Sequence, residues 1–80
     1  MNLTIQSKTA TKLKRDDVKE LYVPTELGEV GILEAHTHYL TKISKGELRY
    51  FDYGNKKETL EIDNGFLHVK DDNIIILETI

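Results

Sequence analysis

The sequence predicts an all-β protein built as a small sandwich or barrel. Apolar and polar residues alternate with a period of two in several short segments, as in strands that bury one face. Pairs of turn-forming residues separate these segments at intervals of about eight to twelve residues, a spacing typical of sandwiches and small barrels. The 80 residues are enough for one compact unit, so we expect a single domain spanning residues 1–80.

The first third of the chain contains two candidate elements. Leu3 and Ile5 alternate with polar residues and open a first strand. The second element is ambiguous, because residues 17–20 have the spacing of a capping box for a short helix, whereas Leu21 and Val23 alternate as in a strand. Local signals leave both structures open for this segment.

The second half of the chain predicts two hairpins. Residues 47–53 and 57–62 flank Gly54-Asn55, a pair that allows the positive φ angles of a tight hairpin. Residues 66–70 and 74–77 are joined by a turn of two aspartates and an asparagine, whose side chains bond to nearby backbone and tolerate left-handed geometry.

Composition and charge exclude several classes of protein. The formal net charge is −3, and the 11 Lys and Arg residues are scattered, so no nucleic-acid partner is expected. The chain has no cysteine, which excludes disulfides and thiol nucleophiles. No signal-peptide pattern or membrane-spanning run is present, since the longest aliphatic run is residues 74–77. Serine-nucleophile, phosphate-loop and dinucleotide motifs are also absent, so we expect neither catalysis nor a bound cofactor.

The three histidines suggest the main alternative function, which is that of a metal-binding protein. His36 and His38, two apart on a strand, would point to the same face, and a cupin-like metal protein could use them with His68. The glutamate that such a site needs four or five residues later is replaced by Lys42 or Ile43. An incomplete ligand set does not hold an ion well, so we expect no metal.

The segment VPTELGEVGILEAHTHYL, residues 23–40, is the most specific in the chain. It contains a Val-Pro-Thr step, then Gly-Glu-Val-Gly-Ile-Leu from Gly28, then His36 and Leu40. This order resembles the epsilon subunit of F-type ATP synthases, called delta in mitochondria. The resemblance extends through Gly-Glu-Leu-Arg from Gly46, Asn-Gly-Phe-Leu from Asn64 and the closing stretch to residue 77. It therefore covers almost the whole chain in order.

The departures from the family pattern are local. Glu34 and His38 replace the two prolines that usually flank the motif histidine, and Asn64 replaces the first glycine of a Gly-Gly pair. Asn tolerates positive φ better than other non-glycine residues, so we expect that turn to be kept.

The resemblance implies a β-sandwich of about eight to ten short strands, with a strand at residues 18–23. It implies a non-catalytic rotor subunit that binds the gamma subunit and the c-ring, at the cytoplasmic face of the bacterial inner membrane. Glu29, on a loop between strands, is expected to face the c-ring. Ser7, His36 and Thr41 are expected on the gamma-binding face, and the structural turns are expected at Gly28, Gly31, Asn64 and Gly65.

Two further expectations concern the limits of the resemblance. Many family members continue into a C-terminal helical hairpin, which would begin where this sequence ends at Ile80. We expect a short subunit without that helical domain. An adaptor of similar fold that works outside the synthase is an alternative that the sequence leaves open.

Overall fold

The computed structural model describes residues 1–33 and 38–80, and in these ranges the chain forms nine strands. The predicted all-β class and the predicted number of strands are confirmed. The strands are β1 (Asn2–Gln6), β2 (Thr11–Arg15), β3 (Val18–Thr25), β4 (Gly28–Ile32), β5 (Tyr39–Ile43), β6 (Gly46–Asp52), β7 (Lys57–Ile62), β8 (Gly65–Lys70) and β9 (Asn73–Glu78).

The strands form two sheets. One has five strands in the order β2-β1-β9-β8-β5, and the other has four in the order β4-β3-β6-β7. Neighbouring strands are antiparallel except β1 and β9, which pair in parallel from Asn2↔Asn73 to Gln6↔Leu77. The two ends of the chain therefore lie side by side at the centre of the five-stranded sheet.

The core lies between the two sheets and follows from the alternation of apolar residues. Leu3 and Ile5 of β1 are fully buried, as are Leu21 of β3 and Leu48 of β6. Successive side chains of a strand point to opposite faces, so each sheet directs one set of apolar residues into a shared cluster. The side chains on the outward face of each sheet form the surface that a partner can contact.

Both predicted hairpins are confirmed. The β6–β7 turn has Asn55 at φ 63°, and the Asp52 carboxylate accepts the backbone N–H groups of Gly54 and Lys56 at 2.8 and 3.0 Å. In the β8–β9 turn, Asp71 and Asp72 have φ angles of 50° and 67°. Positive φ at both central residues is typical of the two-residue turns whose twist matches that of the strands.

The ambiguous segment is a strand. Leu21 and Val23 are fully buried in β3, and the segment pairs with both β4 and β6. Its last pair with β6 is Tyr22↔Arg49, so Pro24 lies beyond that ladder, where its missing N–H is not required. Burial between two strands outweighs the local helix signal. In the described part of the chain, no helix has the length and apolar character to cross a membrane.

Candidate docking surfaces

Glu29 lies in a strand, which corrects the expectation that it lies on a loop. The turn of the β3–β4 hairpin is confined to the two residues between Thr25 and Gly28, which already pair. The Thr25 hydroxyl closes it by donating to the Gly28 carbonyl at 2.6 Å and accepting the Leu27 N–H at 3.3 Å. Pairing then continues with Glu29 opposite Pro24, so Glu29 stands on the outer face of the four-stranded sheet.

The Glu29 carboxylate belongs to a chain of side chains across three strands. Arg49 of β6 donates from Nη2 to Glu29 Oε1 at 2.8 Å, and its guanidinium lies 4.4 Å from the centroid of the Tyr22 ring on β3. The Tyr22 hydroxyl donates in turn to Glu20 Oε1 at 2.6 Å. These contacts hold the carboxylate at a fixed position beside the hairpin tip.

Two pKa shifts follow from this chain. The hydrogen bond to Glu29 raises the pKa of Arg49, since it favours the charged guanidinium. The hydrogen bond to Glu20 raises the pKa of Tyr22, with burial adding to the effect. At neutral pH, therefore, Arg49 is a cation and Tyr22 is a neutral donor.

Of the two glycines around Glu29, only the first adjoins the turn, as the first residue of β4. Gly28 has φ +115°, a conformation that side chains rarely adopt, and a Cβ there would meet open space. Gly31, expected at a structural turn, lies within β4 opposite Tyr22. A Cβ at Gly31 would stand 3.0 Å from Tyr22 Cε1, so the absence of a side chain lets the ring lie flat on the neighbouring strand.

The turn before β8 uses Asn64 and Gly65 in a way that differs from the expectation. Asn64 does not have a positive φ. It stabilises the turn through hydrogen bonds: its Oδ1 accepts the Lys45 N–H at 2.8 Å, and its carbonyl accepts the Thr79 N–H at 2.9 Å. Gly65 is buried, and a Cβ there would overlap the Leu77 carbonyl oxygen, so this position requires glycine because the strands approach closely.

Of the three residues expected on a gamma-binding face, the structure describes two, and His36 lies outside the described residues. Ser7 lies in the β1–β2 turn, where its hydroxyl accepts the Ala10 N–H at 3.2 Å. Thr41 is half-buried on β5 opposite Leu67, a fully buried residue, so the Thr41 side chain points to the inner side of its sheet. The β1–β2 turn that contains Ser7 and the strand β5 that contains Thr41 lie at opposite sides of the five-stranded sheet, so the two residues form no common cluster.

Thr41 lines a groove beside the β3–β4 hairpin. The groove has a volume of about 270 Å³, and Leu27 at the hairpin tip is fully exposed. The described residues that line it are Thr25, Glu26, Leu27, Val30, Tyr39, Thr41 and Lys42. The groove places Thr41 at the same end of the molecule as Glu29.

The outer side of the five-stranded sheet carries an apolar face, which the sequence reading did not identify. We define this face by Leu40, Phe66, Ile75 and Leu77, which are 68%, 44%, 39% and 48% exposed. The register joins them in two neighbouring rows across β5, β8 and β9, one running through His68 and one through Phe66. A contiguous exposed apolar patch usually marks a surface that a partner covers.

The sequence contains a pattern that indicates this apolar face. Residues 74–77 are aliphatic at every position, so the strand β9 directs apolar side chains to both sides of its sheet. A strand that is apolar on both sides is typical of a sheet covered on both faces. The same holds for β8, where Phe66 points away from the core and Leu67 into it.

His38 and His68 lie beside the apolar face and are brought together. Their Nε2 atoms are 2.8 Å apart, and their ring centroids are 4.9 Å apart. The metal alternative required His36 as well, which lies outside the described residues. Within the described ranges, no group of three or more His, Cys, Asp or Glu side chains is placed to hold a metal ion.

The comparison with protein families decides the identity of the fold. The family described as ATP synthase, Delta/Epsilon chain, beta-sandwich domain matches residues 1–79. The chain belongs to this family. The resemblance drawn from residues 23–40 and the sandwich fold are therefore confirmed.

Curated relatives of this Delta/Epsilon-type chain agree. It is 38% identical over 77 residues to the ATP synthase epsilon chain of Desulfosudis oleivorans, covering 95% of this chain and 58% of the relative. It is 33% identical over 63 residues to the chloroplastic epsilon chain of Pelargonium hortorum, covering 79% and 47%. The chain thus spans about half the length of the relatives it matches.

Solved structures show the same fold. A chain in the Euglena gracilis mitochondrial ATP synthase, in a structure of OSCP, F1 and the c-ring, matches with a TM-score of 0.86 and 29% identity, covering 98% of this chain and 49% of that one. A chain in the central stalk and c-ring structure of the Tetrahymena thermophila mitochondrial synthase has a TM-score of 0.77 at 15% identity, covering 100% and 63%. The second likeness supports the fold alone.

Proposed function

We propose that this Delta/Epsilon-type chain is a non-catalytic rotor subunit of an F-type ATP synthase, at the cytoplasmic face of a bacterial inner membrane. It binds the gamma subunit and rests on the c-ring, and so helps to couple ion translocation to ATP synthesis. It transmits torque and needs no cofactor. The observation that carries this proposal is the apolar face on a chain of this family.

The apolar face is the surface that we assign to gamma. Each of its four members is at least 39% exposed, so water contacts a substantial part of every side chain. Burial of such side chains stabilises a complex by about 25 cal/mol per Å² of apolar area, less the cost of association. Docking on this sheet would place an apolar core at the interface, with Lys42 and Gln6 at its polar rim, because these two extend the row through Phe66 and Leu77.

Ser7 and Thr41 fit this arrangement as edge contacts, and His36, proposed for the same face, lies outside the described residues. Ser7 lies at the turn that ends β1, and Thr41 lies on the edge strand β5. Neither belongs to the apolar face, so their contribution is to the rim. Rim residues contribute less binding energy than a buried apolar centre.

The tip of the β3–β4 hairpin is the surface that we assign to the c-ring. Glu29 is paired with Arg49 and half-exposed, so it presents a carboxylate of fixed position. Leu27 projects beside it into solvent. The polar loops of a c-ring could pair with that carboxylate, which would determine the orientation and register of the contact more than its affinity.

A binding measurement tests this proposal. The purified chain would be titrated into the gamma subunit of the same synthase by calorimetry, and we expect a saturable complex with one chain per gamma. A standard-sized interface of this kind gives dissociation constants from micromolar to picomolar. Absence of any complex at concentrations up to about 100 μM would contradict the proposal.

A further inference from the structure

The two histidines described here form one unit on the apolar face. His68 lies on β8 directly opposite Leu40 of β5 and Ile75 of β9, two members of that face. His38 precedes β5, and its Nε2 reaches the His68 Nε2 at 2.8 Å. A partner that covers Leu40 and Ile75 must therefore cover this pair as well.

The geometry of the pair restricts its protons. At 2.8 Å, one Nε2 must donate and the other must accept, so a hydrogen bond exists only while at least one of the two nitrogens lacks a proton. When both carry a proton, two N–H donors face each other without an acceptor, and two cations stand at the same distance. Imidazole is the side chain that ordinarily gains its proton between about pH 8 and 5.

Among the residues that the structure describes, the charged side chains on the outward side of the two neighbouring strands are cations. On the outward side of β5 and β8, Lys42 lies two residues beyond Leu40 and Lys70 lies two residues beyond His68, and both are cations. The outward residues of β9 are Asn73, Ile75 and Leu77, which carry no charge. Within the described ranges, the acidic residues closest to His68 in sequence are Asp71 and Asp72 in the β8–β9 turn, and Asp72 lies 4.0 Å from the N-terminal ammonium.

From these contacts, and resting on the proposed function, we infer that the His38–His68 pair makes gamma docking sensitive to acid. In the neutral pair the two rings satisfy each other and can be buried with the apolar face. When both rings are protonated, docking must desolvate two like charges, which is unfavourable without acidic partners. The affinity for gamma should therefore fall as the pH falls.

The test compares gamma binding at about pH 7.5 and about pH 5.5 at constant ionic strength, with a chelator present to exclude metal effects. We expect the wild-type dissociation constant to rise about tenfold or more, since each proton released on binding contributes up to tenfold per pH unit. The double variant His38→Gln with His68→Gln should lose this dependence. Glu61→Gln, which removes an exposed titratable residue on β7 of the other sheet, should keep the wild-type ratio between the two pH values.

A second measurement does not involve gamma. NMR spectra of the isolated chain at about pH 7.5 should show a nuclear Overhauser effect between the ring protons of His38 and His68, whose ring centroids are 4.9 Å apart, and His68→Gln should remove it. Both side chains are at least partly exposed, so these variants should fold. Absence of this effect between the two rings in the wild type, or an unchanged pH ratio in the double variant, would overturn the inference. Failure of gamma to bind at pH 7.5 would contradict the proposed function instead.

Discussion

Arg49 Nη2 donates to Glu29 Oε1 across 2.8 Å, joining β6 to the edge strand β4 on the outer face of the four-stranded sheet. The pair is exposed, with the two side chains 34% and 49% accessible, so it adds little to stability. The main effect of the ion pair is to position the Glu29 carboxylate. The carboxylate contacts a guanidinium that itself lies over the Tyr22 ring, which reduces the ordering that a partner would have to impose on it.

Reversing the charge of Glu29 should weaken coupling. Glu29→Lys places a cation beside Arg49 and removes the carboxylate from the hairpin, so we expect ATP-driven ion pumping to fall relative to ATP hydrolysis in membranes. The double variant Glu29→Arg with Arg49→Glu serves as the control, because it restores an ion pair but moves the negative charge to β6. If the double variant recovers full coupling, the position of the carboxylate is incidental and only the pair matters.

Glu78 should stabilise the fold from inside the sandwich. Its side chain is 1% exposed and accepts from Lys12 Nζ at 3.1 Å and from the Asp63 N–H at 2.8 Å. Glu78→Ala leaves the partly buried Asp63 N–H without this acceptor, which costs up to about 1–3 kcal/mol. Urea unfolding of this variant should show that loss, whereas Glu61→Ala, an exposed glutamate on β7, should change the free energy of unfolding by less than about 0.5 kcal/mol. Equal effects for the two variants would contradict a structural role for Glu78.

The loss of stability caused by replacing a glycine with alanine should depend on which atoms the new Cβ would contact. Gly65→Ala drives a methyl group into the Leu77 backbone, which cannot move without breaking the β8–β9 ladder, so we expect loss of folding. Gly31→Ala meets the Tyr22 ring, which can shift, so its cost should be about 1–3 kcal/mol. Thermal unfolding of both variants checks the order, and a folded Gly65→Ala variant with near-wild-type stability would refute it.

The Arg15–Asp17 pair should give stability that is lost in acid. Arg15 donates from Nε and Nη2 to the two Asp17 oxygens at 2.9 and 2.7 Å, which lowers the pKa of Asp17 from its ordinary value of 3.8. A carboxyl with a lowered folded-state pKa stabilises the fold above the unfolded pKa, and this contribution disappears as pH falls through the folded pKa.

We therefore expect Asp17→Asn to be less stable than the wild type at neutral pH, with the difference shrinking as the pH falls below 3.8. Urea unfolding across that range measures it. In an Arg15→Gln background, the same substitution should have no such pH-dependent effect. If the difference in the free energy of unfolding between the wild type and Asp17→Asn grew in acid, the Arg15–Asp17 pair could not be its cause.

Alternation and turn residues were sufficient to predict most of the fold. The β6–β7 and β8–β9 hairpins follow from Asn55 and the Asp71-Asp72 pair, whose positive φ angles local chemistry favours. The strand β2 was not predicted, because residues 11–15 have one apolar side chain and owe their conformation to pairing with β1. Such pairing leaves no signal in the composition of residues 11–15 themselves.

The candidate surfaces were less predictable than the fold. Two glycines around Glu29 suggested a loop, yet cross-strand register extends β4 through both of them. The apolar face joins residues from β5, β8 and β9, and only the sheet order makes them neighbours. The contact between His38 and His68, 30 residues apart, likewise depends on the pairing of β5 with β8.

The most direct test of the proposed gamma-binding surface is a matched pair of leucine substitutions. Leu77 on the apolar face is 48% exposed and Leu33, just after β4, is 58% exposed, so glutamate at either position should leave the fold intact. Gamma titration should show an affinity loss of about 30-fold or more for Leu77→Glu, as expected for a charge in an apolar interface centre, and near-wild-type binding for Leu33→Glu. Wild-type affinity for Leu77→Glu, or an equal loss for both variants, would contradict docking on the apolar face.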